Sequence, residues 1–161
     1  AKPEPVEQHF TIFYGDRGHT FESLVSPYLD TAKEVIVEDP YIRLTHRVHN
    51  FVRLCEAIAK TSNVKKVKLI TSCDDAESFK KTQDMLGDLV QSLLEVDIEL
   101  EIKLNQNMHD REIRIDNGWT IKIGRGLDFY QKPNSYYDIG ANDLSMRKCL
   151  ETKVDIFRTS K

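Results

Sequence analysis

The chain has 161 residues, 40% of them apolar and 30% charged, with a formal net charge of −3. That is the size and make-up of one globular domain able to bury a core, and the acidic balance argues against a general nucleic-acid binder. No apolar run approaches the roughly 20 residues of a membrane-spanning helix, no signal peptide precedes the first predicted strand, and the start at Ala1 suggests a piece of a longer protein. The charge is unevenly spread: residues 41–72 carry seven basic side chains and one acidic, residues 73–102 two and nine. Such a basic band can attract an anionic surface, or it can be a set of solvated faces that cancel in space.

Residues 1–8, with Pro3 and Pro5, read as the end of a linker, which leaves residues 9–161 as the domain. Phe10, Ile12 and Tyr14 alternate with polar neighbours and predict a strand, closed by Gly15-Asp16-Arg17-Gly18. A short helix is expected from Thr20 to Leu29, then a β-branched strand over Glu34–Glu38 ended by Asp39-Pro40. From Thr45 to Lys60, Val48, Phe51, Val52, Cys55 and Ile58 recur at helical steps and leave Arg47, Arg53 and Lys60 off the stripe. The strand Val64–Thr71 follows, with Lys66 and Lys68 alternating with Val67 and Leu69. A second long helix runs from Ser78 to Val96, with Asp74 and Glu77 resembling a capping box. This alternation of helix and strand predicts an α/β fold, a mixed β-sheet flanked by helices on both faces.

Beyond residue 97 the pattern turns to strands. Ile98, Leu100, Ile102 and Leu104 alternate with charges, a further strand is expected over about residues 109–116, and Asn117-Gly118 leads into Trp119, Ile121 and Ile123. Asn-Gly between two alternating runs is the strongest short-range hairpin signal. Residues 127–142, rich in Asp, Asn, Tyr and Pro, read as a long ordered loop, and Val154, Ile156 and Phe157 as a terminal strand. Cys55, Cys73 and Cys149 are odd in number and widely spaced, so free thiols are expected, with Cys55 in helix packing. None lies at zinc-ligand spacing, and neither metal nor cofactor is expected.

The chemistry concentrates in Met108-His109-Asp110-Arg111-Glu112-Ile113-Arg114-Ile115-Asp116. On a strand His109, Arg111 and Ile113 share a face. Imidazole beside guanidinium suits a phosphate, which needs charge-assisted donors and, if it is to be cleaved, a nucleophile. The competing reading is a strand-end imidazole bonded to Asp110 or Asp116, with Asp116 initiating the turn. Trp119 reads as core or dimer packing ahead of a lipid anchor.

This hairpin resembles the phosphodiesterase signature of the phospholipase D superfamily, His-x-Lys, four residues, Asp, then a Gly-Ser-x-Asn stretch. Here it stands as His109-Asp110-Arg111, four residues, Asp116, then Gly124-Arg125-Gly126-Leu127. The strand running into Asp39-Pro40-Tyr41-Ile42 is similar to the same family. With Asn117-Gly118-Trp119 and Ile121 to Asp128, the chain from about residue 7 resembles more closely the phospholipase D-like domains that follow an MIT (microtubule-interacting and trafficking) domain. The resemblance implies a catalytically silent domain, a homodimer peripheral on acidic phospholipid (phosphoinositide) membranes. It further implies a cytoplasmic protein of the midbody and late endosome that acts in cytokinetic abscission. The full protein would be recruited to ESCRT-III subunits through an N-terminal MIT domain absent from this chain, so ESCRT-III binding is not expected of the chain itself.

Departures from the signature carry physical meaning. Catalysis in the superfamily uses two histidines across one phosphate, one attacking and one protonating the leaving group. This chain has one such motif; His9, His19, His46 and His49 lack the companion cation. The lysine position is Arg111, and Arg125 and Leu127 replace the small polar groups of the second half. A dimer joining two copies of His109 leaves a phosphodiesterase open as the alternative, with His109, Arg111 and Asp116 as its residues. For lipid phosphate the candidates are His109, Arg111, Arg114, Lys122, Arg125, Lys65, Lys66, Lys68, Arg43 and Arg47, aided by about 1 kcal/mol for each basic residue near an acidic leaflet.

Overall fold

The computed structural model describes residues 5–40, 42, 45–61, 63–73, 75–107 and 110–159, leaving aside the side chains of residues 45–47. In chain order they form β1 (Gln8–Ile12), α1 (Phe21–Val25), β2 (Glu34–Glu38), α2 (Thr45–Ala59), β3 (Lys66–Thr71), α3 (Ala76–Glu95), β4 (Glu99–Leu104), β5 (Glu112–Ile115), β6 (Trp119–Ile123) and β7 (Thr152–Arg158). The strands make one mixed sheet in the order β1-β7-β6-β5-β2-β3-β4. Strands β2, β3 and β4 are parallel, as helical crossovers require, and the remaining pairs are antiparallel.

Local chemistry sets the ends. Thr20 and Ser23 cap α1 reciprocally, each hydroxyl accepting the other's backbone N–H at 3.0 Å. Pro27 then turns the chain into a 3-10 segment, Ser26–Tyr28, so the expected helix to Leu29 is α-helical in its first half only. The cap of α3 is Asp75, whose carboxylate accepts the Ser78 N–H at 2.8 Å; Asp74 lies outside the described residues. That bond holds the Asp75 carboxyl below the usual aspartate range. Its stabilisation is therefore present at neutral pH and lost as pH falls through the lowered pKa. Asp75→Ala should lower the urea midpoint at pH 7, and the gap from the parent should close in acid below about pH 4, where ordinary aspartates protonate.

One apolar cluster joins the inner sides of α1, α2 and α3 to Val35, Val37, Val67, Leu69, Ile113 and Ile121. Phe21 meets Phe129 edge-on at 5.6 Å, and Tyr28 lies 4.8 Å from Trp119, which is buried core as expected. Cys55, Cys73 and Cys149 are free and buried; burial, with Asp16 nearby, pushes the Cys149 thiol up to about 11. The mixed sheet and its helices are those expected; the cover differs, being one-sided among the described residues. Right-handed crossovers from β2 to β3 and from β3 to β4 proceed in one direction across the sheet, so both helices fall on the same face. The opposite face carries Glu38, Lys66, Lys68, Glu101, Glu112, Arg114 and Lys122, with half-buried Ile36, Ile70 and Phe157 among them.

Candidate functional site

The hairpin corner is built where β5 begins, β6 ends and β2 ends. His109 lies outside the described residues, as do Arg43 and the side chain of Arg47. Arg111 is half-buried, and its Nη1–H donates to the Gly124 carbonyl at 3.4 Å. Around it Val37, Glu38, Asp39, Glu112, Gly126 and Leu127 enclose only about 10 Å³, room for a single water. Asp39 is buried and accepts the Leu127 N–H at 3.3 Å. Gly126 has φ +64°, and a Cβ there would stand 2.5 Å from the Asp39 carboxylate. Glycine at this position is a steric demand of the corner.

Asp116 is not part of that corner. It follows β5 at the strand's other end, about 16 Å along the chain from Arg111 at the usual rise per residue. Its carboxylate accepts the Lys33 backbone N–H at 3.0 and 3.2 Å, tying the hairpin to the entry of β2. Asn117 closes the turn and donates its side-chain N–H to the Tyr28 carbonyl at 2.8 Å.

On the open face beside the corner, carboxylate oxygens of Glu38, Asp110 and Glu112 lie within 4.8 Å of one another. Sequence reading missed this cluster; the period-two spacing of residues 110 and 112 was its only trace. Arg114 pairs with Glu38 and reaches Glu112 at 3.7 Å, and Lys122 reaches Glu112 at 3.6 Å. These two cations supply the charge that an oxygen-ligated divalent ion would otherwise bring.

The other basic candidates scatter. Lys66, Lys68 and Lys103 converge on Glu101 at 3.3, 4.0 and 3.7 Å. The Lys66 bond raises its ammonium above the usual range and lowers the Glu101 carboxyl. Lys66 and Lys68 thus point the same way, as their alternation predicts, but toward a carboxylate. Arg125 is exposed and its Nε–H donates to the Glu151 carbonyl at 3.0 Å. Lys65 is exposed at the start of β3, the end of the sheet away from Arg111.

A larger concavity lies elsewhere. Between α2 and the segments on either side of residues 133–141 is a cleft of about 900 Å³, lined by Asn50, Arg53, Asp128, Tyr130, Lys132 and Arg147 among others. Arg147 is buried and donates to the carbonyls of Gly140, Ala141 (2.8 Å) and Gln131 (3.4 Å), stapling the loop together. Arg53 is half-buried and donates to the Asn50 side-chain carbonyl at 3.1 Å. Among the described residues neither guanidinium has a carboxylate within ion-pair distance. Burial, and then the charge of Arg53, hold the Arg147 guanidinium below its usual pKa. In the sequence Arg53 belongs to the basic band of residues 41–72 offered to an anionic surface and stands off the apolar stripe, and the loop is rich in tyrosine, but nothing there brings Arg53 and Arg147 together.

The family described as "Phospholipase D-like domain at C-terminus of MIT" matches residues 18–158. A relative is MIT domain-containing protein 1 of Mus musculus, 46% identical over 142 residues, which cover 87% of this chain and 57% of that protein. The chain thus spans little more than half the length of the curated relative.

Proposed function

Because the chain belongs to the family of phospholipase D-like domains at the C-terminus of MIT proteins, we propose that it is a non-catalytic member. On this reading it pairs with a second copy and binds membranes rich in acidic phospholipids, phosphoinositides among them. The observation that carries the reading is the Arg111 corner. With about 10 Å³ of space and the buried Asp39 carboxylate beside the Arg111 side chain at Gly126, it is a poor seat for attack on a phosphodiester. Loss of cleavage with retention of basic residues favours holding an anion over cutting it. Lys65 and Arg125 are exposed, and with His109, Arg111, Arg43 and Arg47 they are the lipid candidates on this reading. The half-buried apolar residues of the open sheet face offer area for a second copy. In the longer protein, an MIT domain outside the matched residues would bring ESCRT-III subunits, placing this domain at the midbody and late endosome during abscission.

Vesicle co-sedimentation tests this. The protein should pellet with phosphatidylcholine vesicles only when acidic phospholipid is included, and added salt should release it, since screening acts over about 8 Å at physiological ionic strength. Failure to pellet with acidic vesicles would sink the membrane reading. Light scattering should give the mass of a dimer. Turnover of a lipid or single-stranded DNA phosphodiester, abolished by His109→Ala, would replace the reading with an enzyme built from two copies of His109.

A further inference from the structure

The loop over residues 133–141 presents large side chains to solvent that nothing in the fold covers: Tyr136 is 83% exposed, Tyr137 97% and Ile139 74%. The loop is nonetheless tied by its own bonds. The Ser135 N–H donates to Asp138 at 3.1 Å, the Tyr137 N–H to the Ser135 hydroxyl at 3.1 Å, and the Asn142 side chain to the Tyr136 carbonyl at 3.3 Å. Arg147 holds its base through Gly140 and Ala141. Two further exposed aromatics, Phe13 and Tyr14, stand in the turn after β1, which is bonded to Cys149 through Gly15 N–H at 2.9 Å. Tyr14 and Tyr136 both line the cleft that holds Arg53, Lys132 and Arg147. Two exposed tyrosines on bonded backbone therefore border a hollow with more cations than carboxylates, and Tyr137 and Ile139 stand exposed in the same loop.

The two halves of this arrangement select the same partner. Tyrosines with one apolar and one polar end settle at a bilayer's headgroup level. Arg53, Lys132 and Arg147 outnumber Asp128 in the lining, a balance that suits phosphate, and a hollow of about 900 Å³ takes a phosphorylated sugar ring with room to spare. A cluster of cations on an acidic protein is drawn face first to an anionic surface. We propose that this face is the membrane-docking surface: the cleft beside Arg53 and Arg147 receives the phosphate of an anionic lipid headgroup, while Tyr136, Tyr137 and Ile139 enter the interfacial layer of the same bilayer. This rests on the membrane reading above and moves the contact from the hairpin to the cleft between α2 and the loop. The hairpin cations then serve the sheet, and the lipid contact belongs to a loop and a helix with no part in the signature motif.

The test uses the full chain and phosphatidylcholine vesicles with and without phosphatidylinositol bisphosphate. Tyr136→Ser combined with Tyr137→Ser touches only exposed side chains and should cut vesicle affinity about tenfold. Arg53→Gln should cut it about fivefold, the weight of one basic residue at an anionic surface. Tyr137→Trp should shift its emission to the blue on binding and be quenched by lipids brominated in the acyl chain, with buried Trp119 as the constant background. Circular dichroism checks that each variant is folded. If the parent pellets with acidic vesicles and these variants pellet equally well, the docking surface is wrong and the membrane reading survives. If the parent does not pellet, both fall together. Loss of soluble inositol phosphate binding in Arg53→Gln, with the tyrosine pair indifferent on vesicles, would make the cleft a site for a free solute and overturn the docking surface. A dimer lost in the tyrosine variant, with vesicle affinity intact, would make the rim a contact between copies and overturn it as well.

Discussion

Phe51→Ala should remove about 3–5 kcal/mol of folding stability, the usual cost of emptying an aromatic site in a packed core. Phe51 sits in the middle of α2 and is wholly buried, a member of the one apolar cluster that the helices share with the inner sheet face. The cover is one-sided among the described residues, so α2, the crossover from β2 to β3, has no second layer behind the sheet to compensate for the void. The loss combines the transfer term of the deleted ring with a cavity that rigid strands below it cannot fill. Urea unfolding should show a lower midpoint with unchanged slope. A loss under about 1 kcal/mol would mean that the helix adapts freely to the sheet, against the close packing described here. Asn50 and Arg53 ride on the same helix, so the cleft should loosen with it.

Gly140→Ala should have the next largest effect, centred on the cleft loop. Gly140 has φ +93°, and a Cβ would stand 2.6 Å from the Met146 carbonyl oxygen and 2.8 Å from Arg147 Cα. Both obstacles are backbone, so no side chain can swing aside. The dihedral alone costs of order 1–3 kcal/mol for a residue with a side chain, and the clash adds to it. Relief comes by opening the loop, which breaks the Arg147 bonds to Gly140 and Ala141 and strands a buried guanidinium. Hydrogen exchange should rise across residues 131–147, and acidic vesicle binding should fall with it if the docking surface lies there. Gly87→Ala is the control: Gly87 lies inside α3 with nothing within 4 Å of an added Cβ. That change should stabilise by about 0.5–1 kcal/mol, because alanine restricts the unfolded chain more than glycine does. Opposite signs for the same chemical change would separate the steric demand at Gly140 from helix propensity.

The site was less legible in the sequence than the fold. His109-Asp110-Arg111 drew attention because imidazole and guanidinium at period two are rare, and it carried the family correctly. It did not show that Asp116 turns to Lys33 at the strand's far end, or that the buried Asp39 carboxylate stands beside Arg111 at Gly126. Lys66 and Lys68 looked like free surface charges, yet Glu101 comes between them from the neighbouring strand. Arg147 gave no signal, since an arginine that bonds three carbonyls resembles any other arginine in a loop.

The periodicities of the chain decided its elements: Val35, Val37, Val67 and Leu69 alternate because one side of each strand meets the core, and α2 and α3 repeat as amphipathic helices must. Asn117-Gly118 decided the hairpin, because a tight turn needs a residue at ease with positive φ, and Gly118 has φ +99°. These are local matters, settled within a few residues by sterics and water. The tertiary structure alone decided which face stays open, which cations are neutralised, and that Arg53 and Arg147 share a hollow. Such outcomes depend on crossover handedness and strand order, which bring together residues far apart in the chain, and no local pattern records those meetings.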